Sequence, residues 1–132
     1  MSTNNTHKPI VLASETHGMH LSPVLVGGVR VYVECPEWCE GHEGDSPTFL
    51  QDLSHYSEQI ALRGPREGAE WLMLADLRAD AFGTDTDPRV VVNAGGDVVD
   101  MRPAQALKWA DQVTAFADKI RGLARIAGEG QA

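Results

Sequence analysis

The sequence predicts an α+β domain: a small, mainly antiparallel sheet of about five strands, broken by one polar loop and covered by a single long carboxy-terminal helix. Three observations predict it. Valine-rich arms flank glycine pairs in "VLVGGVRVYVE" and "RVVVNAGGDVVDM", the pattern of β-hairpins. Both cysteines sit in one segment, "ECPEWCEGHEGDSPTFLQDLSHYSEQ", together with two of the five histidines. The final segment repeats apolar residues at alternating spacings of three and four, which marks one stripe of a helix.

The 132 residues fit one domain with one modest core. An apolar content of 42% and a charged content of 23% match a globular chain, and no apolar run approaches the ~20 residues that cross a bilayer. The net charge of −8 repels a phosphate backbone, and the 11 Lys and Arg residues are dispersed. Protein is therefore the expected partner, with nucleic acid disfavoured and no membrane association. The amino terminus lacks a basic stretch followed by an apolar core, so a cytoplasmic location is expected.

Residues 1–22 show no sustained periodicity and read as a flexible tail, with His17 and His20 exposed to solvent. One α+β domain is expected over 23–128, and a short tail over 129–132. A short strand at Val24 to Val26 turns at Gly27 and Gly28 into a second, where Val29, Val31 and Val33 face one side and Arg30, Tyr32 and Glu34 the other. "HYSEQIALR" and "EWLMLADLRADAF" follow as strands about a "GPREG" turn, then a hairpin about Gly95 and Gly96. Pro103 opens the helix and Gly128 closes it. Its stripe of Ala106, Trp109, Val113, Phe116, Ile120, Leu123 and Ala127 is expected to dock on the sheet as core.

The chemistry lies in the order Cys35-x3-Cys39-x2-His42-x12-His55. Zn²⁺ takes four tetrahedral ligands from thiolate and imidazole, and two cysteines on a tight turn can present both sulfurs to one ion. Pro36 stiffens that turn, while Gly41 and Gly44 let the backbone fold back so that His42 joins. His55, at the start of a strand, supplies a rigid fourth ligand. The site is read as a structural zinc that staples a loop too polar to order itself. Independent placement of the four residues and a Cys35–Cys39 disulfide are the competing readings, the latter disfavoured in a reducing compartment.

The segment Cys35-Pro36-Glu37-Trp38-Cys39, a histidine soon after, Asp52-Leu53-Ser54-His55, and "VVDMRPAQALKWADQV" together resemble an uncharacterised small-domain family widespread in actinobacteria and their mobile elements. The resemblance covers roughly residues 29–125 and implies the same fold and metal site. Two departures stand out. Tyr56 occupies a position where members often carry a second histidine, and Arg102 a position where they carry a Thr or Ser cap.

No P-loop, G-x-S-x-G or HExxH is present, and the His-x-Glu with Pro-Cys-x-x-Cys pattern of zinc deaminases is absent. No catalytic residue is expected. The leading reading is a non-enzymatic zinc-binding module for protein interaction or regulation. A zinc-dependent hydrolase using Glu43 or Asp52 as base, and a nucleic-acid-binding regulatory module, are the alternatives.

Overall fold

A computed structural model describes residues 19–130. Seven strands and one helix follow in the order β1 (Met19–Val26), β2 (Val29–Pro36), β3 (Ser54–Tyr56), β4 (Ile60–Arg63), β5 (Trp71–Asp80), β6 (Arg89–Ala94), β7 (Asp97–Met101) and α1 (Pro103–Glu129). The α+β class, the antiparallel pairing and the long carboxy-terminal helix are as expected. The strands exceed the expected five because they form two sheets, a β1–β2 ribbon and a five-stranded sheet.

The ribbon turns at Gly27 and Gly28, whose φ angles of 56° and 83° are both left-handed. That pair of angles belongs to a tight hairpin turn with the twist of the flanking strands, and a side chain would be strained there. β1 is longer than the expected Val24 to Val26. Residues 19–22, read from the sequence as tail, belong to a strand in which His20 pairs with Cys35 and Ser22 with Val33. The rest of the expected tail, with His17, lies outside the described residues, as do residues 131 and 132.

In the larger sheet, β5 is the central element. β6 runs along one edge of it, while β3 and β4 share the other edge in succession, so "HYSEQIALR" is one strand broken in the middle. Ser57 bridges the break. Its backbone N–H donates to the Leu77 carbonyl at 2.9 Å, and its Oγ accepts the Leu77 N–H at 2.7 Å. Two backbone groups that a broken ladder would leave without partners are thereby satisfied.

The core cluster gathers Val24 from β1, Val31, Val33 and Cys35 from β2, Cys39 from the following turn, and Leu53 before β3. Trp38, Ala81 and Phe82 pack against it. Period-two alternation puts Val31, Val33 and Cys35 on one face of β2, so the first cysteine continues the valine row. Glu34, expected on the solvent face, is buried, at 8% exposure. Alternation assigns a residue to one side of a strand, and tertiary packing then decides whether that side is wet.

The described residues up to Asp100 form one compact unit and those from Met101 a second. Within the second, α1 runs for 27 residues with Pro103 at its start, as expected, and ends one residue beyond Gly128. The expected burial of its stripe is not met: no residue of α1 is buried, and Phe116 and Leu123 are 65% and 66% exposed. A three-and-four spacing identifies an apolar face but not the surface that meets it. Among the described residues no helix is long and apolar enough to cross a membrane.

Candidate metal centre

Cys35 enters the site as the last inward residue of β2 before Pro36, and its side chain is fully buried. The chain then turns tightly, with the Cys39 N–H donating to the Pro36 carbonyl at 3.0 Å. This turn returns the second sulfur toward the first across three intervening residues. The next residue ties the turn to the other sheet, because the Glu40 N–H donates to the Tyr56 carbonyl on β3 at 2.8 Å.

Gly41 follows with φ of 95°, and its N–H donates to Cys39 Sγ at 3.4 Å. A Cβ at Gly41 would lie 3.3 Å from Ser22 Oγ. That close approach serves the site, since Ser22 Oγ accepts the His42 N–H at 2.8 Å. His42 is 1% exposed and is among the largest fully buried side chains of the described chain. Its Nδ1 meets Asp45 Oδ2 at 3.1 Å, and the Asp45 N–H donates to the His42 carbonyl at 2.9 Å.

His55 arrives from β3, where antiparallel pairing with Ala79 of β5 turns its side chain inward between half-buried Ser54 and exposed Tyr56. Its ring lies 5.3 Å from that of His42, centroid to centroid, and stands edge-on to Trp38 at 6.2 Å. The departure at Tyr56 is thus structurally silent for the centre. Tyr56 faces away, and the Arg78 guanidinium stacks 5.1 Å above its ring.

One potential ligand atom from each of Cys35, Cys39, His42 and His55 lies within 4.8 Å of the other three, and all four residues are buried. The four residues named from the sequence are therefore brought together as one group that could hold a metal ion. Both cysteines are free thiols. A metal fits this set on a second ground: His55 Nδ1 is buried without a hydrogen-bond partner among the described residues. Such a nitrogen is costly in a core unless something accepts its lone pair.

The electrostatics run the same way. The Cys35 thiol is pushed far up by its hydrogen bond to Cys39, by burial and by the charge on Cys39. Cys39 is held far below the ordinary thiol range by the hydrogen bond from Cys35, with His42, His55 and the Gly41 N–H adding to it and burial opposing. Their mutual contact thus drives the two thiols in opposite directions. Burial lowers His42, but hydrogen bonds to Cys39 and Asp45 outweigh it and leave His42 raised. A buried thiolate surrounded by imidazoles is the environment that a soft or borderline divalent cation replaces protons in.

Sequence reasoning missed three supporting residues. Asp45 fixes the His42 ring, Ser22 fixes its backbone, and His20, expected to be exposed, is half-buried with Nε2 2.8 Å from the Cys39 carbonyl. The signal for His20 and Ser22 is strand register, which places them opposite Cys35 and Val33. Glu43 and Asp52, named as possible bases, are exposed.

A family model described as a domain of unknown function, DUF6907, matches residues 15–129. No curated protein and no solved structure matches the chain. The match agrees with the resemblance to an uncharacterised domain family, and it spans both the Cys/His centre and the whole of α1. On that coverage, the chain belongs to the DUF6907 family of domains of unknown function.

Proposed function

We propose that this chain is a non-enzymatic module that binds another protein in the cytoplasm, with a structural Zn²⁺ held by Cys35, Cys39, His42 and His55. The observation that carries the reading is the convergence of four potential ligand atoms within 4.8 Å in a buried setting. Two sulfurs and two imidazole nitrogens suit tetrahedral Zn²⁺ better than the oxygen-seeking Mg²⁺ or Ca²⁺. Four protein donors also fill the tetrahedron, whereas a hydrolytic zinc keeps one position open for water.

The location of the centre supports a stapling role. Cys35 belongs to the ribbon and His55 to the larger sheet, so one ion would tie the two sheets together beside the core. Structural zinc sites contribute on the order of 10 kcal/mol of apparent binding free energy, comparable to the stability of a whole domain. A protein partner is supported by the charge of −8 and by apolar side chains on the outer strand β4, where Ile60 and Leu62 are 69% and 54% exposed.

Elemental analysis of protein purified without added metal tests the reading, with about one zinc per chain expected. Substitution by Co²⁺ should give the intense visible bands of tetrahedral sulfur and nitrogen coordination. A metal-free protein with unaltered folding would overturn it.

A further inference from the structure

The apolar stripe of α1, half-buried at Ala106 and Trp109 and exposed from Val113 onward, has a stricter period than an ordinary amphipathic helix. From Ala106 to Ala127 the spacings are three, four, three, four, three, four, a heptad repeat of 3.5 residues held for three heptads. A second helix fits that period, because knobs-into-holes packing follows it. β-branched Val113 and Ile120 alternate with Trp109, Phe116 and Leu123 along the seam. Val113, Phe116, Ile120 and Leu123 are 38%, 65%, 52% and 66% exposed.

We propose that α1 is a homotypic interface that pairs antiparallel with α1 of a second copy of this chain, Trp109 of each helix lying over Ala127 of the other. Side-chain volume sets the direction. A parallel pair would set Trp109 against Trp109 and Ala127 against Ala127, overfilling one layer and leaving a void in another. The antiparallel register sets Trp109 on Ala127, Val113 on Leu123 and Phe116 on Ile120, so every layer receives a similar volume.

The flanks agree with this arrangement. Beside the seam on one side stand Ala110, Ala117 and Ala124, small enough for the helices to approach. On the other side the same register sets Gln112 beside Ile126 of the second copy and Lys119 beside its counterpart, while Asp111 and Asp118 point outward, so the acidic excess of the chain is kept away from the contact. Antiparallel helix dipoles also attract. The seam is about 32 Å long at 1.5 Å per residue, and burying about a third of each helix's girth removes on the order of 1,000 Å² in total, the lower bound for a specific interface.

Sedimentation velocity of the full metal-loaded chain at tens of micromolar tests this, with a dimer expected. Phe116→Glu should return it to monomer. Ala127→Arg, in the exposed last turn where folding is not at stake, should raise the dissociation constant at least tenfold, with circular dichroism and metal content unchanged. An equimolar mixture of Val113→Cys and Leu123→Cys proteins should cross-link between the two variants, and Val113→Cys alone should not. A monomer at these concentrations would overturn the proposal, and if Phe116→Glu then lowered its melting temperature, the stripe would be covered from within the chain. A dimer indifferent to both substitutions would place the contact on another surface. Efficient cross-linking of Val113→Cys to itself would overturn the antiparallel register.

Discussion

Asp45 Oδ2 lies 3.1 Å from Nδ1 of His42, which leaves Nε2, 3.8 Å from Cys39 Sγ, as the nitrogen turned toward the cysteines. A carboxylate behind a metal-binding imidazole fixes its tautomer and raises its basicity. Asp45→Ala should therefore weaken metal binding by ~10- to 100-fold while every proposed ligand remains. Competition with a coloured chelator measures it, and unchanged affinity would show that Asp45 is only a surface partner.

The second prediction compares Cys39 with His20. Cys39→Ser removes a proposed ligand and should abolish tight metal binding and lower the melting temperature steeply. His20→Ala removes a hydrogen bond to the Cys39 carbonyl and should cost about 1 kcal/mol, with metal retained. Thermal melts with and without chelator separate the two. Equal small losses would make the cysteines ordinary core residues.

Acidification gives a third prediction. In the metal-free protein Cys39 is depressed by its hydrogen bond with Cys35, so its contribution is present above the ordinary thiol value of 9.0 and is lost as pH falls toward the folded value. His42 is raised despite burial, so its contribution is complete below 6.5 and is lost as pH rises through its folded value. Above 6.5 the two oppose each other, and below it the Cys39 effect stands alone. Bound metal acts in the same sense, because protons compete for thiolate and imidazole. The melting temperature should fall steadily below about pH 6.5, faster for the metal-loaded protein as the ion is released. A curve that stays flat to pH 5 in both forms would exclude an ionised thiol in the fold.

Ser57 supplies the fourth. Removing its hydroxyl leaves the part-buried Leu77 N–H without the 2.7 Å acceptor it has now, so Ser57→Ala should cost about 1–3 kcal/mol. Because His55 lies two residues away on β3, metal affinity should also fall, but less than for Asp45→Ala. Denaturant melts followed by chelator competition check both parts.

What was legible in the sequence is local. Cys35, Cys39 and His42 lie within eight residues, and a turn stiffened by Pro36 and opened by Gly41 can bring them together with no knowledge of the rest of the chain. The glycine pairs announced both hairpins because their left-handed φ angles admit little else, and the alternating three-and-four spacing announced α1. His55 was named from its position ahead of a strand, but only the pairing of β3 with β5 delivers it to the other three.

Tertiary structure alone decided the remainder. His20 and Ser22 support the centre because β1 pairs with β2 in one register, and a slip of one residue would turn both outward. Glu34 is buried although alternation places it opposite the valine row. No residue of α1 is buried although its spacing is that of a packed face. Local periodicity records which side of an element is apolar, through the fixed repeat of the backbone. Which surface that side meets depends on contacts between residues far apart in sequence, and those exist only once the chain has closed its loops.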